Sequence, residues 1–277
     1  MRNSQAWRKA QGLPATDYGV NQVTELRRNS FRQRLLNHDL LVGTWVKTPS
    51  PIVCEVLGKT DLDALCLDAE HAPFGRTELD ACIAAIRATN VTPLVRVPTA
   101  DPHNILNALD CGATGIVVPH VRTVADAKAI IQRSLYGPEG RGFAGSSRAA
   151  GFAGKAIADQ LKESTEQTTI IAQIEDLEAV NVIDEIAEVE RLDCLFIGRI
   201  DLTLALGKTD PSDPVVIEAV DKVCAAGRNA GKAVGMFVSD VEEARHWTEK
   251  GASLFLLASD QAFLMAGARD LVSALRS

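Results

Sequence analysis

Eight short apolar runs recur along this chain, each followed by a segment with helical spacing, and that alternation limits the folds open to it. The runs are 40–46, 64–68, 92–97, 114–118, 169–174, 194–197, 233–238 and 253–257. Helical segments include Thr77–Ala88, with Leu79, Ile83 and Ile86 on one face, Val124–Leu135, Pro214–Ala230 and Phe263–Leu275. A strand apolar on both faces is covered on both sides, which is the situation of a parallel strand joined to the next by a helix. Eight such units without a break in composition predict one α/β domain, a (β/α)8 TIM barrel of eight parallel strands, over residues 27–277. Residues 1–26 are polar and mixed in charge and read as an extension outside the barrel.

Composition excludes several function classes. With 46% hydrophobic and 23% charged residues and a net charge of −7, the chain reads as a soluble protein without the basic patch that nucleic acid or an anionic membrane requires. No apolar stretch has membrane length, and the N-terminal segment lacks the apolar core of a secretory signal. The six cysteines form no Cys-x-x-Cys pair and lie mostly in apolar runs, so buried thiols in a reducing cytoplasm are expected.

Charge collects where strands end. The run Leu65-Cys66-Leu67 stops at Asp68-Ala69-Glu70-His71-Ala72-Pro73; Arg96 lies in Leu94-Val95-Arg96-Val97; Asp201 follows the sixth run behind Gly198. Gln173 and Glu175 are two apart, so both face the same side of the fifth strand. In an α/β barrel the C-terminal strand ends carry the chemistry. Glu175 and Asp201 offer oxygen ligands from neighbouring strands, suited to a hard divalent cation such as Mg2+ or Mn2+. Taken singly, each carboxylate reads equally well as a helix cap, a reading that weakens once Arg96 and His71 share the same face. His71 is the histidine beside carboxylates at a strand end, and Asp68 is expected to hold one ring nitrogen, leaving the other as a base. His120, after the fourth strand, is a secondary pocket candidate. No lysine occupies strands two to six or strand eight, which disfavours Schiff-base chemistry; Lys47, past the first strand, is expected to be solvated. The segments after strands seven and eight lack a glycine-rich phosphate cradle.

At these residues the chain resembles the HpcH/HpaI family of metal-dependent (class II) pyruvate aldolases, from about Asn29 to the C-terminus. Asp68-Ala69-Glu70-His71-Ala72-Pro73 is similar to the family's histidine-base motif and Val95-Arg96-Val97-Pro98 to its arginine strand. Gln173-Ile174-Glu175 and Phe196-Ile197-Gly198 through Asp201 are similar to its two metal strands. Trp45 matches a pocket tryptophan, and Gly140-Arg141-Gly142 resembles a mobile loop. The resemblance implies reversible cleavage of a 4-hydroxy-2-oxo acid to pyruvate, or a close 2-oxo acid, and an aldehyde, through a metal-stabilised enolate. On it, Glu175 and Asp201 hold Mg2+ or Mn2+, with Co2+ a further candidate and no organic cofactor. His71 and Asp68 move protons, Arg96 stabilises the developing charge, and Gln173, Trp45 and the backbone N–H groups of Ile200 and Asp201 bind substrate. It also implies a homo-oligomer, trimer or hexamer, with the last helix exchanged between subunits.

The chain departs from the family pattern at Gly198-Arg199-Ile200-Asp201, where a proline usually follows the glycine and a small residue precedes the aspartate. Ile200 narrows the space for the substrate carboxylate, and Arg199 is expected to face solvent, with a second substrate carboxylate as the alternative. Arg76 is a candidate for selecting an acidic acceptor. The competing readings are a citrate-lyase β or malyl-CoA-type lyase, and a non-catalytic 2-oxo-acid-binding relative; oxaloacetate decarboxylation would be a side activity of the first reading.

Overall fold

The computed structural model describes residues 30–276, in which twelve helices and eight strands alternate. They are α1 (Phe31–Leu36), β1 (Leu41–Val46), α2 (Pro51–Leu57), β2 (Ala64–Asp68), α3 (Arg76–Arg87), β3 (Thr92–Arg96), α4 (Pro102–Asp110), β4 (Gly115–Val118) and α5 (Val124–Ser134). Next come α6 (Ile157–Gln167), β5 (Thr169–Ile174), α7 (Leu177–Asn181), α8 (Ile183–Ala187), β6 (Cys194–Ile197) and α9 (Arg199–Ala205). The last are α10 (Pro214–Ala230), β7 (Ala233–Val238), α11 (Val241–Glu249), β8 (Leu254–Ser259) and α12 (Asp260–Arg276). The strands close into a parallel barrel in sequence order, β1 pairing with β8. The expected extension, residues 1–26, lies outside the described residues.

Local chemistry sets where the helices start. Pro51, Pro102 and Pro214 occupy first turns, where a missing N–H costs nothing. Ser50, Asp101 and Asp213 precede them and accept N–H bonds from Val53, His103 and Val215 at 3.4, 2.8 and 2.9 Å. Thr123 and Asp126 cap α5 reciprocally, Thr123 Oγ1 accepting from Asp126 N at 3.1 Å and Asp126 Oδ2 from Thr123 N at 2.9 Å.

Strand alternation then sorts the side chains. Leu65 and Leu67, Val95 and Val97, and Ile170, Ala172 and Ile174 point outward and pack under the helices. Cys66, Leu94, Ile171, Cys194, Phe196, Leu254 and Leu256 point inward and form a separate cluster. Phe31 and Leu35 of α1 join that inner cluster, so α1 closes the end where the strands begin. Two residues beyond Cys66, Leu94 and Ile171 on the same inner face stand Asp68, Arg96 and Gln173. The barrel thus changes from apolar filling to charge within one layer, and that layer is the C-terminal face.

Three expectations change. The helix read over Leu177–Ile186 is two short ones, interrupted at Val182 with φ −116° and ψ 27°. Helix α6, which the pattern did not single out, precedes β5. The glycine-rich connection leaves α5, whose C-terminus lies at the N-terminal end of the barrel, away from the charged layer. Arg141 in that connection is buried with its guanidinium 4.1 Å from the Tyr136 ring centre, and Arg148 grips Asp80 of α3 at 2.7 and 3.1 Å.

Candidate active site

Register brings the first pair together. Asp68 and Arg96 are partners across β2 and β3, and the Arg96 guanidinium donates from Nε to Asp68 Oδ1 at 3.0 Å and from Nη2 to Oδ2 at 2.8 Å. Both residues are buried, Asp68 fully. Burial alone would raise the Asp68 carboxyl, but the Arg96 hydrogen bonds and charge outweigh it and hold its pKa below the usual value. Arg96 also stacks on Trp45 of β1, 4.3 Å from the ring centre, and Trp45 in turn meets Phe196 edge-on at 5.9 Å. The inner apolar layer thereby orients the guanidinium that stands above it.

Glu70 and His71 follow on the β2 rim. Asp68 Oδ1 accepts the backbone N–H of His71 at 3.1 Å rather than a ring proton. This corrects the expected Asp68–imidazole bond, because the arginine fork takes both carboxylate oxygens. Glu70 stands in its place: Oε2 is 3.7 Å from His71 Nε2 and 3.3 Å from Arg96 Nε. Burial pushes the Glu70 carboxyl up, although the Arg96 charge opposes it. The His71 side chain is 55% exposed, so its ring is open to the mouth of the barrel. Lys47, expected to be a solvated side chain, stays partly exposed but also pairs inward, with Nζ 3.4 Å from Asp68 Oδ2. Arg76 donates to Asn107 Oδ1 at 2.6 Å, which ties it sideways to α4.

The second group centres on Glu175, which is buried just beyond β5. Its Oε1 accepts the His120 backbone N–H at 2.9 Å, and its Oε2 accepts from Gln173 Nε2. The His120 ring lies close, with Nδ1 3.3 Å from Glu175 Oε1 and 2.9 Å from Asp176 Oδ2. Burial would lower the His120 pKa, but the Asp176 hydrogen bond and the two carboxylate charges raise it. His120, Glu175 and Asp176 place ligand atoms within 4.8 Å of one another. Asp176 was not foreseen, because an aspartate directly before a helix reads as a cap. Asp201 lies exposed in the first turn of α9 and is outside that cluster, and Ile200 beside it is 53% exposed. Arg199 does not face solvent: it pairs with Glu243 of α11, each side chain 16% exposed.

The residues around Glu175 fit a divalent cation. Among the described residues no lysine or arginine pairs with this buried carboxylate, and Gln173 Oε1 beside it is buried without a hydrogen-bond partner. Among the described residues the His120 ring, half-exposed and shared with Asp176, is the one basic group beside it. The buried carboxylate and the unpartnered amide oxygen therefore still offer two hard oxygen donors to a cation. A Cβ built on Gly198 would fall 2.5 Å from Glu175 Oε2, so the turn that carries Asp201 lies directly against this carboxylate. Asp176 is the poorer second ligand, since His120 and the Arg122 guanidinium, at 3.1 Å, already occupy it.

An α/β barrel with an arginine–aspartate pair, a histidine and a cation-suited carboxylate on its C-terminal face belongs among enzymes that stabilise negative charge on a small oxygenated substrate. The sequence profile of the HpcH/HpaI aldolase/citrate lyase family matches residues 41–266, and the chain belongs to that family. It is 35% identical over 245 residues to a 5-keto-4-deoxy-D-glucarate aldolase of Salmonella arizonae, covering 88% of this chain and 95% of that one. A crystal structure of a family member from Burkholderia cenocepacia J2315 is 34% identical with a TM-score of 0.85, over 89% of this chain and 98% of that chain. A citrate lyase β subunit from M. tuberculosis, described with oxaloacetate and magnesium, is 15% identical with a TM-score of 0.55, over 82% of this chain and 95% of that chain. That likeness concerns the fold alone, and the citrate-lyase reading stands further off.

Proposed function

We propose that this enzyme is a divalent-cation-dependent aldolase that cleaves a 4-hydroxy-2-oxo acid to pyruvate, or a close 2-oxo acid, and an aldehyde. The observation that carries the reading is the polar layer formed by Asp68, Arg96, Gln173 and Glu175 above an apolar barrel interior. Glu175 and Asp201 would hold Mg2+, Mn2+ or Co2+, and the cation would supply positive charge beside the carboxylate and keto oxygens of the 2-oxo acid.

The chain's own groups supply the rest. Arg96 spends Nε and Nη2 on Asp68, which leaves Nη1 for a substrate oxygen that gains charge as the C3–C4 bond breaks. His71 takes the proton of the C4 hydroxyl as the C3–C4 bond breaks, and that proton passes to C3 of the resulting enolate to form the pyruvate methyl. In the reverse addition it leaves the methyl and ends on the C4 oxygen, with Glu70 beside the ring throughout. Gln173 donates toward Glu175 and keeps that carboxylate aimed at the mouth. Trp45 forms the wall on which Arg96 rests. Buried free thiols at all six cysteines support a reducing, cytoplasmic setting, and no described helix is long and apolar enough to cross a membrane. The exposed apolar residues of α12 support a homo-oligomer built through that helix.

The test is exchange of the methyl protons of pyruvate in D2O, followed by proton NMR. Exchange is expected with Mg2+ or Mn2+ and is abolished by EDTA. No exchange with any divalent cation overturns the reading. The relative's name makes 5-keto-4-deoxy-D-glucarate the first cleavage substrate to assay.

A further inference from the structure

The carboxylate of Asp201 has no hydrogen bond or ion pair among the described residues, and it is exposed. Its position is therefore set by the backbone of the turn that carries it. That turn is short and held on two sides. On one side Gly198 donates its N–H to Ile174 O at 3.0 Å and presses against Glu175, leaving no room for a Cβ. On the other, Arg199 reaches across to Glu243 on α11. Glu243 is itself fixed: its Oε2 accepts Ser239 N at 3.1 Å, and its own N–H donates to the Asp240 cap at 2.9 Å. The ion pair, made through Arg199 Nη2, is largely shielded from water, and Arg199 Nε is buried without a hydrogen-bond partner.

We propose that Arg199 and Glu243 are positioning residues: their ion pair ties the β6–α9 turn to the β7–α11 turn and sets Asp201 at the distance from Glu175 that a divalent cation requires. This rests on the cation site described under Proposed function, and it assigns to residues outside that site a share of its cation affinity. The physical reason is preorganisation. A ligand carboxylate on a loose turn loses conformational freedom when the cation binds, whereas one on a tied turn has lost it already. Removing either end of the tie should weaken binding without touching a ligand, and removing both should do little more, because one interaction is lost in each case.

The experiment is calorimetric titration of the metal-free enzyme with Mn2+ for wild type, Glu243→Gln, Arg199→Ala and the double variant, with thermal melting alongside. Each single variant is expected to bind Mn2+ about tenfold more weakly, and the double variant no more than a single one. Arg199→Lys, which keeps a charge within reach of Glu243, is expected to lie between them and wild type. An affinity within twofold of wild type in either single variant overturns the proposal, even if melting temperatures fall, since a purely structural tie gives that pattern. Effects that multiply in the double variant overturn it as well, because they assign the losses to independent causes. Failure of the wild type to bind Mn2+ overturns both this inference and the cation site. Mn2+ binding without pyruvate exchange overturns the aldolase reading and leaves the tie standing.

Discussion

Asp68 and Arg96 face each other at the same register position of β2 and β3, joined by two hydrogen bonds of 3.0 and 2.8 Å inside the barrel. The pair costs desolvation on both sides, and its two-point geometry repays that cost only while both partners are charged. Asp68→Asn leaves the guanidinium buried with Glu70 as its remaining counter-charge. It should destabilise the fold by about 3 kcal/mol. Urea unfolding monitored by tryptophan fluorescence measures it; an unchanged midpoint would mean that Glu70 neutralises Arg96 unaided.

The same pair gives a pH dependence with a defined sign. The Asp68 carboxyl is held below its ordinary value in the folded chain, so the unfolded chain binds its proton at higher pH. Its contribution is fully present above the unfolded carboxylate pKa of about 3.9 and is lost as pH falls through the lower folded value. Stability of wild type should therefore fall more steeply than that of Asp68→Asn below about pH 4, and urea midpoints measured across that range check it.

Much of this site was legible because strand alternation is local. Inward placement of Asp68 above Cys66, of Arg96 above Leu94 and of Gln173 above Ile171 follows from period two, and the structure has it so. Pairings between elements far apart in sequence were not legible. Which carboxylate approaches the His71 ring depends on where Arg96 places its fork, and that depends on the register of β2 against β3. Arg199 and Glu243 are 44 positions apart on different loops, and Asp176 reaches His120 from the neighbouring strand. Nothing in a one-dimensional pattern distinguishes such partners from solvated surface charge.

His71→Ala should separate chemistry from stability. The bond that Asp68 makes to residue 71 uses the backbone N–H, which the substitution keeps, and the ring is more than half exposed. Pyruvate methyl exchange should fall by a factor of about 100 or more, with the urea midpoint within error of wild type. Retained exchange would move the proton-transfer role to another group.

Gly198→Ala tests the closeness of the turn to Glu175. A Cβ there would meet Glu175 Oε2 at 2.5 Å and its Cβ at 2.9 Å. Something must move, and overpacking of this kind costs about 1–3 kcal/mol. The nearest group that can give way is the carboxylate offered to the cation, so Mn2+ affinity should fall together with the melting temperature. A variant that melts lower but binds Mn2+ as wild type does would show that the backbone turn yields instead.

Helix α12 gives the last test. Leu264, Leu271 and Leu275, 64%, 71% and 89% exposed, are seven and then four residues apart and so line one helix face, with Val272 alongside. Leaving such side chains in water forgoes about 1.5–3 kcal/mol for each that a partner could cover. A stripe of this length on a terminal helix is what a neighbouring subunit would bury, and closed symmetric assemblies are the usual outcome. Wild type should elute as a trimer or hexamer by light scattering. Leu264→Asp with Leu271→Asp should shift the population to smaller species, because two carboxylates would have to be buried at every contact. If the double variant keeps the wild-type mass, the contact lies elsewhere on the barrel, and a wild type that is monomeric at micromolar concentration would remove the oligomer altogether.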